Sequence, residues 1–394
     1  MKIITSDIAW RQQARLVVFS QFIIILVLDM SGPYWPLILS SLHSLNPHAL
    51  LYWSGAIYVA PFLTTIFTTL LWTRMGERIG YKKMVLRAGF ALAATQWSLI
   101  FLNNPWLIFS IRLLQGALAG FTAAAQAWSL AMTPTNVHSQ VLGRLQAATA
   151  MGSIVGPVCG GMMSHYYGYV SIFILSGCIC LLISSILAIY LQENPKNISL
   201  SKNKKQKNFF WGERRKNLLL FLICSTQAAR WMPTPFFALY VIQQLHAGNL
   251  TLGFIYASIA LAISLTTPSF GRVIDRQSTY VWTKLCLVFA LLLSGVVQLG
   301  FAFITRSYFA FILSIFWGVG LGIISLVLFS FLLKDANDST RANAVGLGNT
   351  ALKLGNLLGI IAGALVQTGG HFMVSFMAIG CFYFILAVLA GCYK

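Results

Sequence analysis

Charge is scarce in this chain of 394 residues, and negative charge is the scarcest part of it. Charged residues make up 9% of the sequence, against about 25% in an ordinary soluble domain. Acidic residues number only eight, whereas hydrophobic residues account for 58%. This composition excludes an ordinary soluble globular protein and predicts an integral membrane protein.

The sequence also lacks the residue clusters that enzymes, metal sites and nucleotide sites require. No pair of histidines has metal-ligand spacing, and the seven cysteines lie nearly all in apolar runs, where they act as small hydrophobic side chains. No phosphate-binding glycine loop occurs, so ATP is not expected to supply energy. A membrane enzyme would need several buried acids or histidines at one site. We therefore expect no enzyme activity, no cofactor and no bound metal.

Apolar residues are gathered into long runs. A helix needs about 20 apolar residues to cross a membrane. This criterion predicts twelve spans, at residues 16–41, 50–72, 85–103, 107–132, 143–165, 170–191, 217–244, 251–270, 280–304, 309–333, 344–368 and 372–392. The predicted fold is all-α, with 12 transmembrane helices in two six-helix halves, residues 1–191 and 217–394, joined by a basic linker at 192–216.

The net charge of +19 comes mainly from basic residues between the spans. Basic chains often bind nucleic acid, but the positive-inside rule accounts for basic residues placed in short segments between apolar runs. The segments on one side, together with the edges of their spans (Arg87 among them), hold 23 of the 27 lysines and arginines, and the opposite side holds Arg306 alone. Both termini are therefore predicted in the cytoplasm. We expect a monomeric, multi-pass protein of the bacterial inner membrane that contacts lipid and binds no nucleic acid.

A glycine pattern occurs twice in the chain. The fifth predicted span carries a stripe of small or helix-bending residues: Gly152, Gly156, Pro157, Gly160 and Gly161. The eleventh span repeats the spacing 203 residues later, at Gly355, Gly359 and Gly363. A stripe without side chains lets two helices approach closely in lipid. The repeat therefore predicts a duplicated bundle held together at two glycine-lined contacts.

Three local patterns carry a family resemblance. The segments after the second and eighth spans contain related loops: Glu77, Arg78 and Gly80 in the first, and Gly271, Asp275 and Arg276 in the second. The fourth span contains Arg112-Leu-Leu-Gln115-Gly116. With the glycine-proline stretch of the fifth span, these patterns resemble the major facilitator superfamily, specifically its twelve-span drug:proton antiporter branch. This chain departs from the family pattern at three positions. Thr73 stands where the family has the first glycine of the loop, Glu77 stands where it has aspartate, and Ser278 stands where it has the second glycine of the later loop.

The resemblance implies two six-helix halves and a central cavity that opens alternately to either side of the membrane. It also implies that the loop carboxylates pair with arginines in one conformation and separate in the other. In the family, the glycine-proline form of the fifth span is associated with export. The loop residues and the small residues of the fifth span are therefore expected to control the conformational change.

Asp29 is the acidic residue that lies inside a predicted span. An ionisable group at that depth costs about 2.5–3.5 kcal/mol, so it normally faces a cavity or a partner. Removal of a carboxyl group from water also favours its protonated form. Two interpretations follow: Asp29 exchanges protons during transport, or it forms a structural ion pair with Arg112.

Three basic residues lie in the interior of spans rather than at their edges: Arg112, Arg230 and Lys353. Arg230 follows Asp29 by 201 residues, so the duplication predicts the same depth for both. If all four groups face one cavity, its charge is +2 and it favours an anionic substrate. The candidate hydrogen-bonding residues beside them are Gln115, Gln126 and Gln227. Alternatively, Arg112 pairs with Asp29 or with backbone carbonyls, Lys353 snorkels to the interface, and the glutamines bridge helices.

The predicted function is proton-coupled secondary transport, with export of a small organic molecule by antiport. The substrate would be an anionic metabolite, a siderophore or a drug-like compound. The alternative is uptake of a carboxylate-rich or metal-chelating substrate by the same fold. In either direction, the expected partners are the substrate, protons and membrane lipid.

Overall fold

A computed structural model describes residues 2–42, 45–101, 103–134, 137–192, 214–276, 279–334 and 341–392. Over these ranges the chain is helical and contains no strand. The α-helices are α1 (Lys2–Ser31), α2 (Trp35–Ser40), α3 (Pro47–Ile79), α4 (Tyr81–Ser98), α5 (Pro105–Leu118), α6 (Phe121–Met132), α7 (His138–Tyr167), α8 (Tyr169–Tyr190), α9 (Arg214–Trp231), α10 (Phe237–Leu239), α11 (Asn249–Arg276), α12 (Tyr280–Phe303), α13 (Ser307–Lys334), α14 (Arg341–Gln367) and α15 (Phe372–Cys392). Short 3-10 helices follow α1 and α4, and a π-helical turn follows α10.

Ten helical stretches in the described part of the chain are long and apolar enough to cross a membrane. They correspond to the first four predicted spans, the sixth, and the eighth to the twelfth. The predicted fifth and seventh spans correspond to α7, which is rich in glycine, and α9, which ends ahead of Pro233 and Pro235. The all-helical membrane fold is therefore confirmed, while the count of twelve and the cytoplasmic side of the termini stay predictions.

The chain divides into two compact units. Unit 1 comprises Met1–Trp35 and Ala60–Lys204, and unit 2 comprises Pro36–Val59 and Lys205–Lys394. Residues 36–59 belong to unit 2, where Gly55 lies so close to Ala364 that an added Cβ would be 2.8 Å from the alanine Cβ. Most of the predicted linker, residues 193–213, lies outside the described residues, so its boundaries stay a prediction.

In unit 1, the glycine face of α7 lies directly against the backbone of α1. A Cβ added to Gly156 would lie 2.6 Å from the Leu26 carbonyl oxygen, and one added to Gly160 would collide with the Met30 carbonyl oxygen. Gly152 likewise meets the α1 backbone. Real Cβ atoms essentially never approach other atoms within 3.0 Å, so any larger residue would separate the two helices. The predicted small-residue contact is confirmed here, and we call it the first glycine seam.

A second glycine seam joins α14 to α9 in unit 2. Gly359 meets the Ala228 carbonyl oxygen and Gly363 meets the Met232 carbonyl oxygen, each too closely for a Cβ. Gly355 lies in the same way against the preceding turn of α9. The duplication seen in the sequence is therefore a duplication of helix packing.

The two seams fix the register of the repeat. The carbonyls of Leu26 and Met30 correspond to those of Ala228 and Met232, which lie 202 residues further along the chain. This register places Trp231, not Arg230, at the position of Asp29. The offset of 201 predicted from the sequence is wrong by one residue, which displaces a side chain by about 1.5 Å along the helix and about 100° around it.

We expect alanine in the seams to destabilise the protein, because the added methyl group must displace backbone. Gly160→Ala and Gly363→Ala should each lower the free energy of unfolding by about 1–3 kcal/mol. Gly143→Ala and Gly346→Ala lie on the same two helices with nothing within 4 Å of the added Cβ, so they should be neutral or slightly stabilising. Thermal unfolding of the purified protein in detergent compares each pair. If Gly160→Ala melts at the same temperature as Gly143→Ala, and Gly363→Ala at the same temperature as Gly346→Ala, the close packing at the seams is contradicted.

Candidate functional site

The candidate binding residues belong to both units. Unit 1 contains Asp29, Arg112, Gln115 and Gln126, and unit 2 contains Gln227, Arg230 and Lys353. No group of three or more metal-ligating side chains that could hold a metal ion occurs in the described residues.

Asp29 lies half-buried near the end of α1, at the first glycine seam. The Ser153 hydroxyl of α7 donates a hydrogen bond of 2.5 Å to its Oδ2 atom. A Cβ added to Gly156 would lie 2.9 Å from the Asp29 Cβ, so the glycine brings the backbone of α7 up to this residue. The carboxyl group is therefore held by a neutral hydroxyl from the neighbouring helix.

Pro157 changes the backbone hydrogen bonding of α7 at the first glycine seam. Because proline has no N–H, the carbonyl of Ser153 lacks the hydrogen bond that a regular helix would supply. One turn away, the buried Tyr34 hydroxyl donates a hydrogen bond of 2.8 Å to the Pro157 carbonyl. The end of α1 with the 3-10 helix that follows it is thus joined to α7 around Pro157 by two hydrogen bonds, from Ser153 and from Tyr34. Gly161, which follows this stretch, is buried.

Gln21 is a polar residue of the same seam that the sequence reasoning missed. It is fully buried, and its Nε2 atom donates to the hydroxyls of Thr122 at 2.8 Å and Thr149 at 3.2 Å. It therefore connects α1, α6 and α7. The available signal was a glutamine within an apolar run, about two turns before Asp29.

Arg112 and Gln115 lie together on one face of α5, as the spacing of three residues predicts. Arg112 Nη1 donates a hydrogen bond of 2.6 Å to Gln115 Oε1, and its guanidinium carbon lies 4.8 Å from the centre of the Trp35 ring. Within the described residues, the buried Gln115 Nε2 and Trp35 Nε1 atoms have no hydrogen-bond partner. The guanidinium is thus flanked by two N–H donors that have no acceptor there.

The fourth predicted span is not one helix but two. α5 ends at Leu118, and α6 begins at Phe121 after a break at Gly120, whose φ of 109° and ψ of 20° are left-handed. The sequence placed Gln126 on a continuous helix, whereas it lies half-buried on α6, beyond the break. The predicted span over residues 107–132 therefore corresponds to one membrane-length stretch, Pro105–Met132, whose helix is interrupted at Gly120, a residue without a side chain.

Arg87 stabilises this break. Its Nη2 atom donates a hydrogen bond of 3.1 Å to the Ala119 carbonyl, and its guanidinium carbon lies 3.5 Å from the centre of the Trp72 ring. Trp72 Nε1 in turn donates a hydrogen bond of 2.6 Å to the Ala117 carbonyl. The sequence reasoning counted Arg87 among the residues at the edge of the third span. It lies instead two turns inside α4, where it caps the end of α5.

In unit 2, Arg230 is half-buried near the end of α9, and the Tyr383 hydroxyl is buried in the same unit. That hydroxyl also accepts a hydrogen bond of 3.5 Å from Trp317 Nε1. Gln227 lies on the second seam, where its Cβ would be 2.8 Å from a Cβ added to Gly355. Lys353 is half-buried on α14, two residues before that glycine. Unit 2 thus places its candidate residues on and beside its own glycine seam.

The predicted gating loops lie largely within helices. Arg78 is exposed in the last turn of α3, and Gly80 alone joins α3 to α4, with a φ of 109°. Gly271 lies inside α11, which extends to Arg276. The side chains of Glu77, Asp275 and Arg276 lie outside the described part of the structure, so their pairing with arginines stays a prediction.

Comparisons with known proteins agree on one family. The sequence profile described as Major Facilitator Superfamily matches residues 17–360. The chain is 25% identical to the "Staphyloferrin B transporter" of Staphylococcus aureus, over 97% of this chain and 93% of that protein. It is 24% identical to the "Multidrug resistance protein MdtG" of Proteus mirabilis, over 97% and 94%. Its fold matches the crystal structure of a D-xylose-proton symporter with a TM-score of 0.77, covering 99% and 98% of the two chains at 14% identity.

The break in the fourth predicted span generates a testable expectation. Gly120→Ala should lower the free energy of unfolding by about 1–2 kcal/mol, since a residue with a Cβ is strained at this backbone conformation. Gly120→Asn should recover part of the loss, because asparagine tolerates the left-handed region. Thermal unfolding in detergent measures both, with Gly143→Ala as the control in a regular helix. If Gly120→Ala and Gly120→Asn lower the melting temperature equally, the loss of stability comes from a steric clash of the added side chain rather than from the backbone conformation.

Proposed function

Since the chain belongs to the major facilitator superfamily, we propose that it is a proton-coupled secondary transporter that exports a small organic molecule in exchange for protons. Family membership makes the protein a multi-pass membrane transporter rather than an enzyme. The proposal goes further in four respects: protons as the coupling ion, export as the direction of transport, a small organic molecule as the substrate, and the bacterial inner membrane as the location. The observation that carries it is the Asp29 carboxylate, held by Ser153 at the first glycine seam.

Asp29 suits proton exchange because its partner tolerates both forms of the acid. A serine hydroxyl can donate to a carboxylate and can also accept a hydrogen bond from a protonated carboxyl group. An arginine partner would instead hold the carboxylate in its charged form. The Ser153 contact therefore supports the proton-exchange interpretation over the structural ion pair.

The donors around Arg112 support an organic anion, such as a siderophore, as the substrate. Gln115 Nε2 and Trp35 Nε1 are buried donors that have no acceptor in the described structure, and a buried donor without a partner costs about 1–3 kcal/mol. A carboxylate of the substrate would supply acceptors for both donors and for the guanidinium. Arg230 and Lys353 add positive charge in unit 2. The relative named as a staphyloferrin B transporter supports one defined organic substrate.

A drug-like compound is the second candidate substrate, and it is supported by the relatives named as multidrug resistance proteins. Export is supported by Pro157 and its neighbouring glycines, which match the form that the family associates with efflux. The alternative direction is uptake of a carboxylate-rich or metal-chelating compound by the same fold.

Replacing Asp29 should abolish proton coupling while substrate binding survives. The experiment uses purified protein in liposomes with an imposed pH gradient, a pH-sensitive dye, and a panel of anionic and cationic candidate substrates. We expect substrate and protons to move in opposite directions in wild-type protein. Asp29→Asn should reduce gradient-driven transport to the rate seen without a gradient, because asparagine cannot exchange a proton.

Ser153→Ala serves as the comparison, since it removes the hydrogen bond and keeps the carboxyl group. It should retain coupling, with an altered dependence of the transport rate on pH. Normal coupling in Asp29→Asn would assign Asp29 a structural role and overturn the proton site. Movement of substrate and protons in the same direction would favour the uptake alternative.

The charge of the substrate can be tested at Arg112. Arg112→Gln should raise the KM for anionic substrates by about 10- to 150-fold, since one charge-assisted hydrogen bond is worth about 1.5–3 kcal/mol. Transport of cationic compounds should change little. Arg306→Gln, at an exposed position, is the matched control. Equal losses for anions and cations would show that Arg112 acts only on the structure.

A further inference from the structure

A groove of about 410 Å³ lies between α1 and α7 in unit 1, away from the polar groups around Asp29. Its walls are mainly apolar and include Phe19, Phe22 and Met151. Two arginines, Arg15 and Arg144, complete the lining, and no acidic residue takes part. This volume falls within the range of about 300–1,000 Å³ that is typical of sites for small organic ligands.

The charged and apolar parts of the groove are separated along the helices. On α1, Arg15, Phe19 and Phe22 follow one another at helical spacing on one face, and on α7 Met151 lies seven residues beyond Arg144. Arg15 directly precedes the first predicted span, and Arg144 is the second residue of the fifth. The predicted spans therefore put the guanidinium groups at the level of the lipid headgroups and the apolar walls at the level of the acyl chains.

We propose that this groove binds one anionic phospholipid, with its phosphate on Arg15 and Arg144 and an acyl chain against the apolar walls. In the predicted orientation, this lipid belongs to the cytoplasmic leaflet. Guanidinium groups bind phosphate through paired hydrogen bonds. Phe19 and Met151 remain 55% and 58% exposed, so large apolar side chains are available to the chain of the lipid.

The lining distinguishes a lipid from a soluble anion. A small polar anion would satisfy the arginines but would leave most of the apolar wall uncovered. A zwitterionic lipid such as phosphatidylcholine offers a phosphate together with a quaternary ammonium, which two guanidinium groups repel. A phospholipid with net negative charge matches both parts. The inference does not depend on the direction of transport or on its coupling to protons.

Native mass spectrometry of the full-length protein in detergent tests this site. The probes are phosphatidylglycerol, phosphatidylcholine with the same acyl chains, and glycerol 3-phosphate as a soluble headgroup. We expect phosphatidylglycerol to bind preferentially. The double substitution Arg15→Gln with Arg144→Gln should weaken its binding about thirtyfold, since each arginine at a membrane surface contributes about fivefold. Arg11→Gln with Arg306→Gln, at exposed positions outside the groove, is the charge-matched control.

A second pair of variants tests the apolar wall without changing charge. Ala147 is exposed and lines the groove, so Ala147→Phe should block the acyl chain and weaken phosphatidylglycerol binding. Ala94→Phe, at an exposed position on α4, should not. Unchanged binding in the double arginine variant would overturn the site, as would equal binding of phosphatidylcholine. Displacement of the lipid by glycerol 3-phosphate would show that the groove binds a soluble anion instead.

Discussion

Each unit depends on one close contact between two helices, in which the glycines of one helix pack directly against the backbone carbonyls of the other. Lipid gives two helices no hydrophobic reason to associate, so association rests on close packing and on hydrogen bonds between them. Ordinary helix pairs lie about 8–10 Å apart, because side chains separate them. At Gly156 and Gly160 no side chain intervenes, and the α7 backbone reaches the carbonyls of α1. The hydrogen bonds from Ser153 to Asp29 and from Tyr34 to Pro157 span the same contact, so the proposed proton site follows from the packing.

The sequence predicts this contact well, because glycine spacing and helical periodicity carry the same information. A residue without a side chain at every fourth position can only form a stripe on one face, and both stripes meet a neighbouring backbone in the structure. Helical periodicity also brings Arg112 next to Gln115, although the sequence analysis named Asp29 or backbone carbonyls as the partners of Arg112. Partners on other helices are not predicted by local spacing. Ser153 and Trp35 became visible as neighbours of Asp29 and Arg112 only in three dimensions.

The errors of the sequence reasoning also have physical causes. Gly116 and Gly120 look alike in the sequence but have different roles. Gly116 lies inside α5 and packs against the backbone of Pro61 in α3. Gly120 has a left-handed backbone conformation and lies at the break between α5 and α6. Arg87 looks like an interfacial residue because it is the third residue of the predicted span 85–103. A helix that starts directly after Gly80 places it deeper, at the exposed carbonyl end of α5. The offset of the repeat was wrong by one residue because the sequence analysis aligned two charged residues, Asp29 and Arg230. The structure instead aligns the backbone carbonyls that pack against the glycines, and these are 202 residues apart.

The charge of the transported molecule and the direction of proton movement are physically linked. A cation that binds near Asp29 competes with the proton for the carboxylate, and such competition is sufficient for exchange. An anion near Asp29 would instead favour the protonated acid, and the two would then move together. Exchange of an anion therefore requires that substrate and proton use separate groups. The structure provides separate partners, since Asp29 is held by Ser153 while Arg112 contacts Gln115 and Trp35. In the proposed mechanism, protonation of Asp29 alters the glycine seam without first releasing the donors around Arg112.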